Sequence, residues 1–483
     1  MTDNDRPDAA RRTPEALRDT PSGAFGDAPD VLRPSVAVVG SGPSGCYVAS
    51  FLGKKWPGSQ IIIFESMPTP YGLVRYGIAA DHQGTKNVTR QFDRLFTKDG
   101  VHFAGNVCVG ADLDFDELAA AFDIVVLATG LPEDRSLDIP IDPNARVMGA
   151  GTLLRALNGY PSHSVPRDSD GRCSALGEQL AVVGMGNVAL DVVRLMSKDS
   201  HEFDGSDIDD ELLEQLRPHR PGTIDVISRS GLALAKFDHA MLRELLSLPN
   251  IEVTVNGLSD SATGPAAELL RTHIDGGAAS VTADAPRTHV RLHFQLTPDS
   301  VTTEGGRTCL RTSTPGGRDA QADFVVDTVI TAIGFTQGPE HDPSSPTGHW
   351  SGDNVYRVGW LSRGPHGAIP ENRKDARQVV ERIAEDVASG RLRFGKPGHA
   401  AVEHLLRDVV TFADWQRIEA FEQSEALPGR CRRKVTDRTH MLSIATSTPS
   451  SGSRPDLAAV PPRPKETTVP HHTHQLPVRE SDT

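Results

Sequence analysis

Two stretches of the chain each read as a buried strand, a glycine turn and a helix: SVAVVGSGPSGCYVASFLGKK at 35–55 and QLAVVGMGNVALDVVRLMSKD at 179–199. No other feature restricts the fold as much. In a chain with 44 glycines a bare Gly-x-Gly-x-x-Gly pattern turns up by chance roughly 0.4 times, so the context must decide. In the first unit Gly40, Gly42 and Gly45 follow an apolar strand and open a helix, and the next strand, QIIIFE, ends at Glu65. Glycines there let the backbone turn and approach a pyrophosphate, the helix start offers free N–H groups, and a carboxylate at the second strand end can bind ribose hydroxyls. In the second unit Gly184, Gly186 and Ala189 hold the same positions, and the following strand, TIDVIS, runs into Arg229. A carboxylate at that strand end repels a 2'-phosphate, whereas an arginine binds one through two parallel hydrogen bonds. The first site therefore suits FAD and the second NADPH.

Between these units short β-rich runs alternate with helical patterns, which predicts an α/β fold built on mostly parallel sheets. The expected organisation is a disordered tail over 1–34, a first part of an FAD domain over 35–139, and an NADPH domain over 140–335. A second part of the FAD domain with C-terminal helices follows over 336–440, then a disordered tail over 441–483, since Pro, Ser and Thr dominate there. His471, His472 and His474 in that tail read as polar residues without metal geometry. Two strands end alike, DIVVLATG at 123–130 and DTVITAIG at 327–334, as suits a chain crossing between domains beside a ligand.

Composition removes several classes. A net charge of -14 opposes nucleic-acid binding, which needs a basic excess. The five cysteines, Cys46, Cys108, Cys173, Cys309 and Cys431, form no CxxC pair and no iron–sulfur or zinc spacing. No run approaches the ~18 apolar residues of a membrane span, and the acidic start lacks a signal core, so a cytoplasmic monomer without metal is expected.

Residues 68–88, PTPYGLVRYGIAADHQGTKNV, resemble the adrenodoxin reductase family, which includes bacterial ferredoxin-NADP reductases of the glutathione-reductase-like fold. GSGPSG at 40–45, GMGNVALDVVR at 184–194, GWLSRGPHGAI at 359–369 and VVTFADWQ at 409–416 are similar to family segments too, and together the matches cover about 35–435. The resemblance implies hydride transfer from NADPH to FAD and then single electrons to a ferredoxin, an iron–sulfur protein that feeds a cytochrome P450 or another oxygenase. By similarity, Gly40, Ser41, Gly42, Pro43, Ser44, Gly45, Glu65, Leu73 and Val109 hold the FAD adenosine and pyrophosphate. Trp360, Gly367, Ala368 and Ile369 contact its isoalloxazine end, and Gly184, Gly186, Asn187, Val188, Arg229 and Ser230 hold NADPH. His82 and Glu244 look like the family's active-site pair, with positioning and proton balance as their task.

The residues after Ile369 place Ala376, Val379, Val380, Ile383 and Val387 at helical spacing, so a helix start aimed at the flavin is expected. Pro370 departs from the family's small or hydroxyl residue there, and a proline fits a first helical turn. The second site departs more. Where the family usually reads Arg-Arg-Gly-Pro with a later glutamate, this chain has Ser230, Leu232 and Met241. Losing one cation weakens 2'-phosphate binding by ~1 to 3 kcal/mol, and Ser230, Lys236 or the missing acid at Met241 can compensate. Candidate cations for docking an acidic ferredoxin are Arg430, Arg432, Arg433, Lys434 and Arg438, or Arg391, Arg393 and Lys396. Rival readings are another NAD(P)H flavoprotein, such as a flavin monooxygenase or diaphorase, or a flavin-binding regulator without turnover.

Overall fold

The computed structural model describes residues 33–161, 163–256, 262–275, 287–314, 321–338 and 349–447. Most of both expected tails, including the three tail histidines, lies outside the described residues.

The chain enters on β1 (Ser35–Val39), turns into helix α1 (Pro43–Lys55), and continues through β2 (Gln60–Glu65), β3 (Val101–Gly105) and β4 (Ile124–Leu127). All pairings among these strands are parallel. Side chains alternate across a strand, and both faces here are covered. Val36, Val38, Ile61 and Ile63 enter one core cluster with α1, while Ala37, Val39, Ile62 and Phe64 enter another on the opposite face. That double burial explains why β1 and β2 read as unbroken apolar runs.

A two-residue strand, β5 (Glu133–Asp134), leads out of this sheet into a second one. There β6 (Val147–Gly149), β7 (Gln179–Val183), β8 (Thr223–Ser228), β9 (Ile251–Asn256) and β10 (Thr288–Phe294) are joined by β14 (Thr328–Thr331) in the order β6-β14-β7-β8-β10-β9. Leu180, Val182, Ile224 and Val226 face its helices. The opposite face is closed by an antiparallel sheet of β11 (Thr297–Glu304), β12 (Arg307–Ser313) and β13 (Gln321–Val326), which contributes Val301, Leu310 and Val326. The chain returns through β15 (Phe335–Thr336), antiparallel to β5, and β16 (Val355–Arg357) joins the first sheet beside β4. The α/β class with two parallel sheets is thus as expected.

Helix α2 (Leu73–Tyr76) sits after β2, and α3 (Ala150–Leu157), α4 (Asn187–Ser197) and α5 (His239–Leu246) belong to the second sheet. Helices α6 (Trp360–Arg363), α7 (Ile369–Ala388), α8 (Phe412–Ser424) and α9 (Arg438–Thr446) complete the chain. In α7, Ala376, Val379, Val380 and Ile383 are buried, as their spacing predicts. One boundary needs correction: residues 441–446, expected in the tail, are the end of α9. Met441 and Ala445 of α9 are packed into the first core, and this short apolar pair is hard to see beside so polar a tail.

Candidate functional site

The two glycine turns are built alike. Gly40 has φ +104° and Gly184 φ +118°, values that favour glycine. A Cβ on Gly40 would lie 2.6 Å from the Ala128 carbonyl oxygen, and one on Gly184 2.3 Å from that of Ala332. Each turn is held by the neighbouring strands: Gly40 N–H donates to Phe64 O at 2.8 Å and Gly184 N–H to Ile227 O at 2.9 Å. By contrast, a Cβ on Gly42 or Gly186 would meet nothing within 4 Å. These two glycines are the N-caps of α1 and α4, and neither helix has a side-chain cap. An uncapped helix start with open space above it fits a pyrophosphate, whose oxygens accept from the free N–H groups. At the third position a Cβ on Gly45 would come within 2.1 Å of Gly40 O, whereas the methyl of Ala189 is buried in the second core.

The strand ends differ. Ser41 donates to Glu65 Oε2 from both N–H and Oγ, at 3.0 and 2.6 Å, and Met67 N–H donates to Oε1 at 3.1 Å. Ser66 Oγ also donates to Oε1 at 3.1 Å, so four donors fix a carboxylate at the mouth of the first turn. Gly72, before Leu73, lies against Gly42, and Val107 N–H donates to Glu65 O at 2.9 Å, two residues before buried Val109. A Cβ on Gly359 would lie 2.2 Å from Ser44 Oγ, so α6 sits directly on the start of α1. Trp360, stacked on Phe335 at 5.4 Å, donates from Nε1 to Gly367 O at 3.4 Å, and Ala368 caps α7 just before Ile369 and Pro370. In the second unit Arg229 is exposed after β8, and Ser230 N–H donates to Ser228 Oγ at 3.2 Å. Asn187 Oδ1 accepts from Asp238 N–H at 2.7 Å, and Val188 packs against the core.

His82 and Glu244 come together, Nε2 to Oε2, at 3.1 Å. Around them lies a charge cluster that sequence reasoning missed. Arg194, fully buried on α4, pairs with Asp81, with Asp191 at 2.8 Å and with Glu244 at 3.2 Å. Lys198 pairs with Asp81 at 2.5 Å, and His82 Nδ1 stands 3.6 Å from Asp191. Burial pushes the Asp81 carboxyl up, but hydrogen bonds and charge from Arg194 and Lys198 outweigh it and hold it at about 2. Burial raises Asp191, which Arg194 and His82 offset only partly. The available signal was an aspartate and an arginine three apart inside the apolar run VALDVVRLMS, because charges buried in such a run need partners.

The chain is 42% identical over 429 residues to a cindoxin reductase of Citrobacter braakii, covering 86% of this chain and 92% of that one. It is 30% identical over 485 residues to the mitochondrial NADPH:adrenodoxin oxidoreductase of Mus musculus, covering 91% and 96%. The chain belongs to the adrenodoxin reductase family. Among solved structures, Mycobacterium tuberculosis FprA in complex with NADPH matches with a TM-score of 0.73 at 27% identity, covering 86% of this chain and all of that one. No family model matches the chain.

The segment at 68–88 that marks the adrenodoxin reductase family is held by buried charge. Arg75 pairs with Glu422 of α8 at 2.5 Å and lies over the rings of Tyr76 and Trp415. Lys86 and Lys434 share Asp207, at 2.7 and 2.9 Å. Burial lowers both lysines, with Asp207 opposing. Tyr71 has φ +84°, donates from its hydroxyl to Asp93, and its N–H donates to Ser41 Oγ at 3.0 Å. The expected docking patch therefore needs correction. Lys434 is interior, Arg430 and Arg432 pair with Asp210 and Glu419, Arg391 pairs with Asp386, and Lys396 Nζ donates to Ala119 O. Arg391, Arg393, Arg433 and Arg438 are exposed, Arg433 standing 3.9 Å from Glu211 and Arg438 donating to Asn106 Oδ1 and Ser66 O. A run of cations says nothing of the acids the fold brings beside it.

Proposed function

We propose that the protein is an FAD-dependent NADPH:ferredoxin oxidoreductase, acting as a cytoplasmic monomer. The observation that carries this reading is the pair of matching glycine turns with opposite charges at their strand ends, Glu65 held by Ser41 and Arg229 exposed. The relatives' names support it, and no helix of the described residues is long and apolar enough to cross a membrane.

FAD, when bound, supplies the chemistry that accepts a hydride and releases electrons one at a time. Gly40, Ser41, Gly42, Pro43, Ser44 and Gly45 bind its pyrophosphate at the start of α1, Glu65 takes ribose hydroxyls, and Leu73 and Val109 border the adenosine. Trp360, Gly367, Ala368 and Ile369 present the start of α7 to the isoalloxazine, where the helix dipole favours added negative charge. Gly184, Gly186, Asn187 and Val188 bind the NADPH pyrophosphate, with Arg229 and Ser230 at the 2'-phosphate. His82 and Glu244 position the nicotinamide and balance protons beside it. Residues 35–139 and 336–440 then form the FAD domain, and 140–335 the NADPH domain.

The test is a visible spectrum of the purified protein and anaerobic addition of NADPH. A yellow protein that bleaches, and reduces cytochrome c only when ferredoxin is added, supports the reading. A colourless protein, or one that consumes oxygen with an organic substrate instead, overturns it.

A further inference from the structure

The loop after β8 is stitched across the opening of α4. Ser228 Oγ donates to Ser230 O at 2.9 Å and turns the chain; Lys236 then forms a parallel bridge with Gly186, and Asp238 N–H donates to Asn187 Oδ1. Lys236 is therefore fixed by its backbone beside the glycine whose open side faces the second site. Its side chain is exposed, and like Arg229 it makes no ion pair or side-chain hydrogen bond among the described residues. Three other cations of this half are paired: Arg194 and Lys198 with Asp81, and Arg291 with Asp225. The acid within β8 cannot draw Lys236 away, because Asp225 is occupied by Arg291 and by His293 at 2.7 Å.

A phosphate monoester carries a charge of about -1.5 to -2 at neutral pH and three acceptor oxygens, more than one guanidinium neutralises. We propose that Lys236 is the second cation of a 2'-phosphate subsite, reaching from the α4 side while Arg229 approaches from the end of β8. This rests on the NADPH reading above and assigns the charge that Ser230 does not supply. An ammonium on a flexible stem suits this role, since it acts as a point charge and needs no fixed fork.

Titration calorimetry of the flavin-loaded full chain with 2',5'-ADP and with 5'-ADP tests it. Lys236→Met is expected to weaken 2',5'-ADP about tenfold while leaving 5'-ADP within about twofold, and Lys236→Arg to restore most of the loss. Unchanged 2',5'-ADP binding in Lys236→Met, with a wild type that prefers it over 5'-ADP, overturns the role of Lys236 and leaves the NADPH reading standing. Equal weakening of both nucleotides overturns it too, since the lysine then serves the shared diphosphate. A wild type without preference for 2',5'-ADP sinks both.

Discussion

His82 Nε2 lies 3.1 Å from Glu244 Oε2, although 162 residues separate them. One stands in the connection between β2 and β3 of the first sheet, the other on α5 of the second, so this contact forms only when both halves are assembled. Glu244 also pairs with Arg194 through its other oxygen, so a glutamine there leaves one acceptor oxygen, without charge, for two partners.

For Glu244→Gln the rate of flavin reduction by NADPH should fall roughly tenfold, less than the 10²–10⁴ of a group that must transfer a proton in the rate-limiting step. The Michaelis constant for NADPH should stay within about threefold. Stopped-flow traces of flavin absorbance measure both, and an unchanged reduction rate would remove the pair from the reaction.

Acid stability should carry the signature of Asp81. Its folded value of about 2 lies below the usual carboxylate range, so its contribution is fully present above about pH 4 and disappears as pH falls through 2. Urea unfolding of wild type against Asp81→Asn should show a difference of roughly 2 kcal/mol near neutrality that closes towards pH 2. A difference independent of pH would mean that packing, not charge, sets the effect.

Arg229→Ala should raise the Michaelis constant for NADPH by roughly five- to 150-fold, the kinetic equivalent of ~1 to 3 kcal/mol, and leave NADH use nearly unchanged. Steady-state assays with each nucleotide decide this. Equal effects on both would exclude Arg229 as the phosphate ligand, and a wild type that favours NADH would contradict the NADPH assignment itself.

The glycines of the first turn should separate cofactor loss from misfolding. Gly42→Ala points a methyl into open space, so the fold should survive while flavin retention drops. Gly45→Ala drives a methyl to within 2.1 Å of Gly40 O, so the turn itself must shift and thermal stability should fall by several degrees. The visible-to-ultraviolet absorbance ratio and melting temperature read out the two effects; identical behaviour would refute the distinction.

The glycine spacings, the buried strands and the helical face of Ala376, Val379, Val380 and Ile383 were legible in sequence because each is a local pattern with a fixed period. The places of Glu65, the last residue of β2, and of Arg229, the first after β8, were legible because each marks a strand end within such a unit. Arg194 was not read as the hub it is, since its partners Asp81 and Glu244 lie far away along the chain and only the tertiary fold brings them together. The same reason takes Arg430 and Lys434 out of the expected cationic docking patch: they meet Asp210 and Asp207, acids more than 200 residues earlier. Helix α9 escaped notice because its two buried residues, Met441 and Ala445, form too short an apolar pattern to stand out.

The pairing of β5 with β15 has a mechanical consequence. Both passages of the chain between the halves run through this one ribbon, Phe335 opposite Asp134, and Asp134 also accepts from the N–H groups of Gly151 and Thr152 at the start of α3. With the outgoing and the returning passage bonded to each other and to the start of α3, a displacement of one strand must carry the other with it, so the entrance to the second sheet and its exit are held as one unit.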